Sequence, residues 1–515
     1  MPEYLHPGVY IEEIERGPRP IEGVPTSTTA FLGETERGPL RPTLVTSYRE
    51  YQRWFGSVFL KGCYMPHAAA GFFENGGKRL YVSRITAKDS VAATKDLDSG
   101  FTATAAGPGA WGNNVWVRVL EGSTKDAAGK SGFRLRLAYW SAKPQTAFDP
   151  FEDFKSVPRP QVVEEYNDLS IDPLSPDYYL KRLTNTETNE SVSALIKLTN
   201  AVTPPTAKPP AKAGSFLESG SDVTEPPGTA DFNPTDREQG LAALDLDPFR
   251  DIALMHAPFP RKDADAINKA IFDYCEKRRF CFAVIDSEKD ALPGSLNPRG
   301  APKSWDTQHA AFYTPWLVVS DPSTGARETV PPGGYVLGVY ARTDTERGVF
   351  KAPANELVRG ALDLKFQINE STQDVLNPRG VNAIRVFPGR GIRVWGARTL
   401  SSNGLWKYVS VRRLFIFLER SIYEGTQWVV FEPNDDKLWA RVTDTIRLFL
   451  RTQWRLGALL GRTKQEAFFI TCDRTTMTQD DILNGRLICE IGIAPVRPAE
   501  FVIFKVFQHT AEAQR

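Results

Sequence analysis

Metal and thiol chemistry have little to work with in this sequence. Its five histidines, His6, His67, His256, His309 and His509, lie far apart, with none in H-E-x-x-H or H-x-H spacing, so no metal site is expected of them. Cys63, Cys275, Cys281, Cys472 and Cys489 are scattered, with no C-x-x-C and no paired spacing. That argues against a zinc site and a disulfide framework, and it fits synthesis in a reducing cytoplasm. Neither charge is in excess, with 63 Lys plus Arg against 62 Asp plus Glu, so no global field favours direct contact with nucleic acid or an anionic membrane. No apolar run approaches the ~20 residues of a membrane-spanning helix, so no membrane insertion is expected. The opening "MPEYLHPGVY" has no basic region followed by an apolar core, and no secretory leader is expected.

Catalytic motifs are equally scarce. "FPGRGIRVWG" contains Gly389, Gly391 and Gly396 but lacks the Gly-Lys-Ser/Thr ending of a phosphate loop, and no third glycine opens a helix. A turn between two strands is the better reading. There is no G-x-S-x-G elbow and no cysteine with a partner series. Asp480 and Asp481 in "TQDDILNG" are consecutive, so on a helix they do not face one another, and they read as first-turn acids after Thr478. The expectation is a protein without cofactors and without enzymatic activity. An unrecognised α/β enzyme is the less favoured alternative.

What is present is a long α/β chain. At 515 residues it has room for three or four domains on a prior of ~150 residues each. "STTAFLGET", "SYREYQRWFG" and "RLYVSRI" read as strand, helix and strand. Near residues 100 to 140, "NNVWVRVLEG" and "GFRLRLAYW" switch to short strands, suggesting an inserted, mostly β domain. Residues 201–238 are dominated by Pro, Gly, Ser, Thr, Ala and charges and read as a mobile loop or linker. "DIALMHAP", "ADAINKAIFDYCEKRR" and "FCFAVID" then predict a βαβ unit over 251–286.

The clearest helix is predicted over 435–456, with Asn434 as cap, Asp435 and Asp436 at its N-terminal end and Gly457 after its last turn. Leu438, Val442, Ile446, Phe449 and Leu450 form one apolar stripe, and Lys437, Arg441, Arg447, Arg451 and Arg455 gather elsewhere. Both ends of the chain look like strands. "GVYIEEIE" alternates Val9 and Ile11 against Tyr10 and Ile14, and "PAEFVIFKVFQ" is apolar from Phe501 to Phe507 except at Lys505. Termini are normally polar and frayed, so such strands need partners, either in one closed sheet or in another molecule.

The run "KAPANELVRGALDLKFQINESTQDVLNPRGVNAIRVFPGRGIRVWGARTL", residues 351–400, resembles the tail sheath proteins of contractile phages and phage-tail-like injection systems. So do "WKYVSVRRLFIFLERSIYEGTQWVVFEPND", "AFFITCDRTTMTQDDILNGRLICEIGIAPVRPAEFVIFKVF", "PPGGYVLGVYARTDTERGVFKAPAN" and "PGVYIEEIERGPRPIEGVPTSTTAFLG". The resemblance covers about residues 1–90 and 240–510 and leaves out the middle insertion. It implies an α/β (α+β) multidomain fold: a sheath core of mixed sheets and helices, an inserted mostly β domain, and terminal β-strand arms exchanged between subunits.

The implied divisions are an N-terminal arm over 1–22, core over 23–92, an outward-facing insertion over 93–240, core over 241–390, an inner domain over 391–497 and a C-terminal arm over 498–515. Val9, Tyr10, Ile11, Ile14, Phe501, Val502, Ile503, Phe504, Val506 and Phe507 would add strands to neighbouring sheets. Lys437, Arg441, Arg447, Arg451 and Arg455, or Asp480 and Asp481, would touch an inner tube. The implied partners are further copies in a helical sheath of stacked, hexameric rings, a tube protein, and baseplate and terminal cap proteins. Contraction on a baseplate trigger would drive the tube through a target envelope. A non-contractile tail or capsid protein is the alternative.

Overall fold

The computed structural model describes residues 20–57, 62–125, 131–146, 148–153, 155–185, 190–236, 238–321 and 324–505. They fall into two compact units, one of Pro25–Arg413 and one combining residues 20–24 with 414–505.

The larger unit opens with β1 (Thr29–Gly33), every residue of which is buried, and β2 (Thr43–Val45). Helix α1 (Tyr48–Phe55) starts where the Glu50 N–H donates to the Ser47 hydroxyl and the Thr46 N–H donates to the Glu50 carboxylate at 2.8 Å. It stops at Gly56, whose φ of +87° suits glycine. Helix α2 (Met65–Glu74), which the sequence pattern did not single out, and the expected strand β3 (Leu80–Arg84) follow.

The insertion then supplies β4 (Thr94–Asp96), β5 (Phe101–Ala105), β6 (Val115–Lys125), β7 (Ser131–Tyr139), β8 (Val162–Leu169), α3 (Tyr179–Leu183), β9 (Thr184–Asn185), β10 (Glu190–Ser191), β11 (Ile196–Asn200) and β12 (Ser215–Phe216). Its two main sheets are antiparallel, β11-β5-β4 and β12-β6-β7-β8. Alternation along β7 sends Phe133, Leu135 and Leu137 into a core shared with Phe101 and Leu198. Arg136 faces the other way and donates to Glu165 at 2.8 Å.

Residues 201–238 are not the free loop expected from composition. Strand β12 pairs with β6, Glu218 and Ser221 bridge to Thr94 and Val91, and α4 (Thr229–Phe232) follows. Phe216, Leu217 and Phe232 are buried, while Val202 and Val223 are exposed, and the three buried groups anchor a backbone that composition alone would leave loose.

The core resumes with α5 (Gly240–Ala243), β13 (Leu254–His256), α6 (Ala264–Arg278), β14 (Phe282–Asp286), β15 (Ala310–Thr314), β16 (Leu317–Ser320), β17 (Arg327–Val330) and α7 (Gly333–Arg347). It continues through β18 (Glu356–Leu357), β19 (Ala361–Leu364), α8 (Glu370–Leu376), β20 (Val381–Phe387), β21 (Gly391–Val394) and α9 (Val409–Gly425). Nine strands form one sheet in the order β18-β21-β20-β15-β14-β13-β1-β3-β2. The six from β20 to β3 are parallel, and β13-α6-β14 is the expected βαβ unit.

Helices α2 and α7 pack at close range because Gly334 and Gly338 face α2. A Cβ at either position would stand 2.5 Å from backbone atoms of Ala68 or Phe72. The Gly389 segment is the turn of the β20–β21 hairpin. The boundary expected between 390 and 391 falls in that hairpin, whose ladder joins the residues on either side; the compact units divide between 413 and 414, inside α9.

In the smaller unit, α10 (Asp436–Arg455) is followed by α11 (Lys464–Ala467), β22 (Phe468–Thr471), α12 (Gln479–Leu483) and β23 (Glu490–Ile493). The predicted stripe of α10 is buried as expected, together with Trp439 and Thr445. Its cap is Asp435 rather than Asn434. The Asp435 carboxylate accepts from the Leu438 N–H at 2.8 Å, whereas the Asn434 side chain accepts from the Trp439 indole at 2.7 Å. An ionised acceptor suits the helix N-terminus better than an amide that has another partner. Strands β22 and β23 pair antiparallel, and the pairing continues as the Ala494 N–H donates to the Ala467 carbonyl at 2.9 Å. Residues 20–24 run beside the end of α9, where the Val24 N–H donates to the Ser421 hydroxyl.

Candidate functional site

The parallel sheet has the one feature that commonly marks a ligand crevice. From β1 the chain passes to β3 on one side and, after the insertion, to β13 on the other, and α/β proteins bind ligands outside the carboxyl ends of strands at such a reversal. Glu34, Cys63, Met65, Phe232 and Arg261 line the crevice. Its cation is already engaged, since Arg261 makes a two-pronged pair with Glu34, with Nε at 2.7 Å. Burial and the neighbouring Glu34 carboxylate push the Cys63 thiol up to about 12, far from the thiolate that nucleophilic chemistry requires.

Deeper in, His256 Nε2 stands 3.4 Å from Asp286 Oδ2, the Gly333 N–H donates to Asp286 at 2.7 Å, and His256 Nδ1 faces the Val284 carbonyl at 2.8 Å. Burial raises the Asp286 carboxyl to about 8 and lowers the His256 imidazole to about 4. Both are neutral near neutral pH, and neither is accessible to a substrate. Among the described residues, no group of three or more His, Cys, Asp or Glu side chains is placed to hold a metal ion, and no helix is long and apolar enough to cross a membrane.

The smaller unit is different in kind. Of the twenty-seven large apolar side chains exposed among the described residues, fourteen belong to it, though it holds only about a quarter of the chain. Four are consecutive: Phe501, Val502, Ile503 and Phe504 are 71%, 68%, 80% and 86% exposed, in a segment without regular secondary structure. Among the described residues no strand lies beside this segment, so the strand expected there has no partner within them. The other arm residues, Val9, Tyr10, Ile11, Ile14, Val506 and Phe507, lie outside the described residues.

On α10, Lys437, Arg441, Arg447, Arg451 and Arg455 are all exposed on the arc opposite the buried stripe. Arg441 pairs with Glu432 at 3.0 Å and covers the Trp428 ring, and Arg447 pairs with Asp444. Lys437, Arg451 and Arg455 have no ion pair among the described residues, and Leu448 stands exposed between them. Asp480 and Asp481 occupy the first turn of α12 as expected. The Thr478 hydroxyl and Asp481 carboxylate form a capping box, which holds that carboxyl below its usual range. Asp481 is thus committed to its own helix, and Asp480 is the freer acid.

Sequence reasoning missed Phe431, Leu448, Phe469 and Leu483 as surface groups, each exposed. Leu448 alone had a usable signal, an apolar residue on the polar arc of an amphipathic helix.

Two family models match in succession, the phage tail sheath protein central domain over residues 234–400 and the phage tail sheath C-terminal domain over 401–509. Together they span more than half of the chain. The protein belongs to the phage tail sheath family. A Pseudomonas aeruginosa protein named as a prophage major tail sheath protein is 26% identical over 245 residues, 47% of this chain and 61% of its own. The tail sheath protein of Salmonella phage ViI is 24% identical over 243 residues, 44% of this chain and 37% of its own. The chain thus spans less than two thirds of the length of these curated relatives.

Among solved structures, the PVC sheath complex of an extracellular contractile injection system, in its contracted state, superposes with a TM-score of 0.60 at 22% identity. It covers 99% of this chain and all of that one. At that identity the likeness establishes the sheath fold. The family is structural, which agrees with a crevice closed by its own ion pair and a buried His–Asp pair that no substrate reaches.

Proposed function

We propose that this protein is the subunit of a helical contractile sheath around an inner tube and that its role is mechanical, without catalysis. The exposed run Phe501–Phe504 carries this reading. A soluble chain rarely leaves four consecutive large apolar residues in water, and a strand of this kind adds readily to an unpaired sheet edge. Residues 500–508, and at the other end 8–15, act as arms that complete sheets of neighbouring copies. Heterologous contacts of this type do not close on themselves and so build a helix, here of stacked hexameric rings.

The extended lattice is metastable. A baseplate trigger lets subunits swing outward into a wider, shorter and better-packed lattice that drives the tube through a target envelope, while the arms keep them tied. The free energy is stored at assembly, so no nucleotide is consumed. Contact with the tube is the reversible part and is polar, and the unpaired Lys437, Arg451 and Arg455 of α10 are its first candidates, ahead of Asp480. The insertion faces outward, and a terminal cap protein and a baseplate bound the two ends of the sheath. Subunits are made and assembled in the bacterial cytoplasm, and the particle is a phage tail or an injection system, released by lysis or held at a membrane.

Negative-stain electron microscopy tests this directly. Purified full-length protein is expected to form hollow, striated cylinders, and versions lacking residues 1–15 or 498–515 to remain dispersed. Cylinders from both truncated proteins would overturn the exchanged-arm mechanism, and a full-length protein that stays monomeric even with tube and baseplate would overturn the sheath role.

A further inference from the structure

Cysteines that look scattered in the sequence meet in pairs in the fold. Cys275, near the end of α6, interacts with Cys281, just before β14; both are completely buried, and Cys275 Sγ lies 3.6 Å from Met255 Sδ. The second pair is in the smaller unit. The β22–β23 ladder runs from Phe468 opposite Ile493 to Thr471 opposite Glu490, and carrying that register one step past its end brings Cys472 opposite Cys489. Each thiol shifts the other's ionisation, as close approach requires. Opposed residues of an antiparallel ladder have Cα atoms ~4.5 to 5.5 Å apart, inside the ~4.4 to 6.8 Å that a disulfide requires. Cys472 is buried but Cys489 is only partly so, which gives this pair the route to solvent that Cys275 and Cys281 lack.

We propose that Cys472 and Cys489 form an oxidation-dependent staple, a cross-strand disulfide made by exchange with a small-molecule disulfide, which closes the loop carrying α12. The Cys472 thiolate attacks one sulfur of the small disulfide, forming a mixed disulfide and expelling one small thiolate. The Cys489 thiolate then attacks the Cys472 sulfur, forming the protein disulfide and expelling the second. The protons of the two protein thiols end on the two small thiols, so the protein loses two electrons and the small disulfide gains them. Cys472 is the first attacker because the neighbouring Cys489 thiol favours its thiolate, while Cys489 is pushed up to about 12 by burial and by the neighbouring Cys472. Burial raises Cys472 as well, with Asp473 adding to the shift. The exchange is therefore slow at neutral pH and accelerates as pH rises. The chemistry needs no second subunit and no tube.

The experiment treats full-length protein with oxidised glutathione across a pH series, then unfolds it, blocks free thiols with N-ethylmaleimide and maps the peptides. The expected product joins the Cys472 and Cys489 peptides, while Cys275 and Cys281 stay alkylated and oxidise at least about tenfold more slowly, because they react only on opening of the core. Trypsin cleavage after the exposed Arg474 and Arg486 should leave fragments that separate only on reduction. In Cys489→Ser, a persistent glutathione adduct on Cys472 is expected. A persistent adduct on either residue of the wild-type protein, or full recovery of both as N-ethylmaleimide adducts at every pH, would overturn the staple.

Discussion

Replacing Ile503 with aspartate separates assembly from folding. Ile503 is 80% exposed in the single chain, so the substitution should shift that chain's own stability by no more than about 0.5 kcal/mol. In a completed neighbouring sheet the same side chain is buried. Removing it then forfeits about four fifths of the ~1.5 to 3 kcal/mol of a fully buried isoleucine, roughly 1.2 to 2.4 kcal/mol. An acid desolvated in its place costs a further ~1 to 3 kcal/mol. The sum, about 2 to 5 kcal/mol per arm, raises the critical concentration for polymerisation roughly thirty-fold to several thousand-fold. Sedimentation of polymer across a dilution series reads this, with circular dichroism and urea unfolding of the dispersed chain as controls. Phe504→Asp, at a residue 86% exposed, tests the opposite strand face. If both variants polymerise within twofold of the wild-type critical concentration, the C-terminal arm is not a donated strand and the reasoning fails.

The larger unit makes its own predictions. Arg413 and Asp344, 3% and 5% exposed, form a two-pronged pair at 2.9 and 2.5 Å, to which the Thr26 hydroxyl donates at 2.6 Å. Asp344→Ala leaves a buried guanidinium without its partner and should cost about 3 to 5 kcal/mol in urea unfolding; a cost below about 1 kcal/mol would contradict the burial.

Asp286, with its folded carboxyl raised to about 8, contributes stability that is fully present below the ordinary carboxyl value of 3.8 and is lost as pH rises through about 8. His256, lowered to about 4 from 6.5, contributes stability present above 6.5 and lost as pH falls through about 4. Between pH 6.5 and 8 only the Asp286 effect acts, at ~1.4 kcal/mol per pH unit. Wild type should therefore lose about 2 kcal/mol more than Asp286→Asn across that window, and parallel urea midpoints in the two proteins would refute it.

Arg451→Glu combined with Arg455→Glu, at two exposed cations without ion pairs among the described residues, should leave the sheath subunit folded and prevent extended particles on the tube. Intact extended particles in electron micrographs would remove α10 from the tube contact.

Much of the scaffold was legible because it is written in local chemistry. Ser47 and Thr478 stand before their helices as hydroxyl caps, and α10 buries the stripe that a 3.6-residue period marks out. The all-buried strands β1, β3 and β14 are built around β-branched, aromatic and other apolar residues, even though Ser83 and Arg84 of β3 are buried with them. The misreadings share a cause. Residues 201–238 are polar on average, yet three apolar side chains and an open edge of β6 hold them in place. Average composition does not register a few well-placed anchors. Asn434 lost the cap to Asp435 because a single hydrogen bond to Trp439, four residues into the helix, claimed its carbonyl.

By itself the sequence determined the family, the βαβ unit over 251–286, helix α10, and the presence of apolar segments with no partner nearby, since each depends on residue types along a short stretch. Only the tertiary structure decided which residues meet. Cys472 comes close to Cys489, His256 reaches Asp286, and Arg261 occupies Glu34 at the mouth of the crevice. Each of these juxtapositions is set by strand register and by the order of strands in a sheet. A one-residue slip or a different strand order would undo all three while leaving every local pattern in the sequence unchanged.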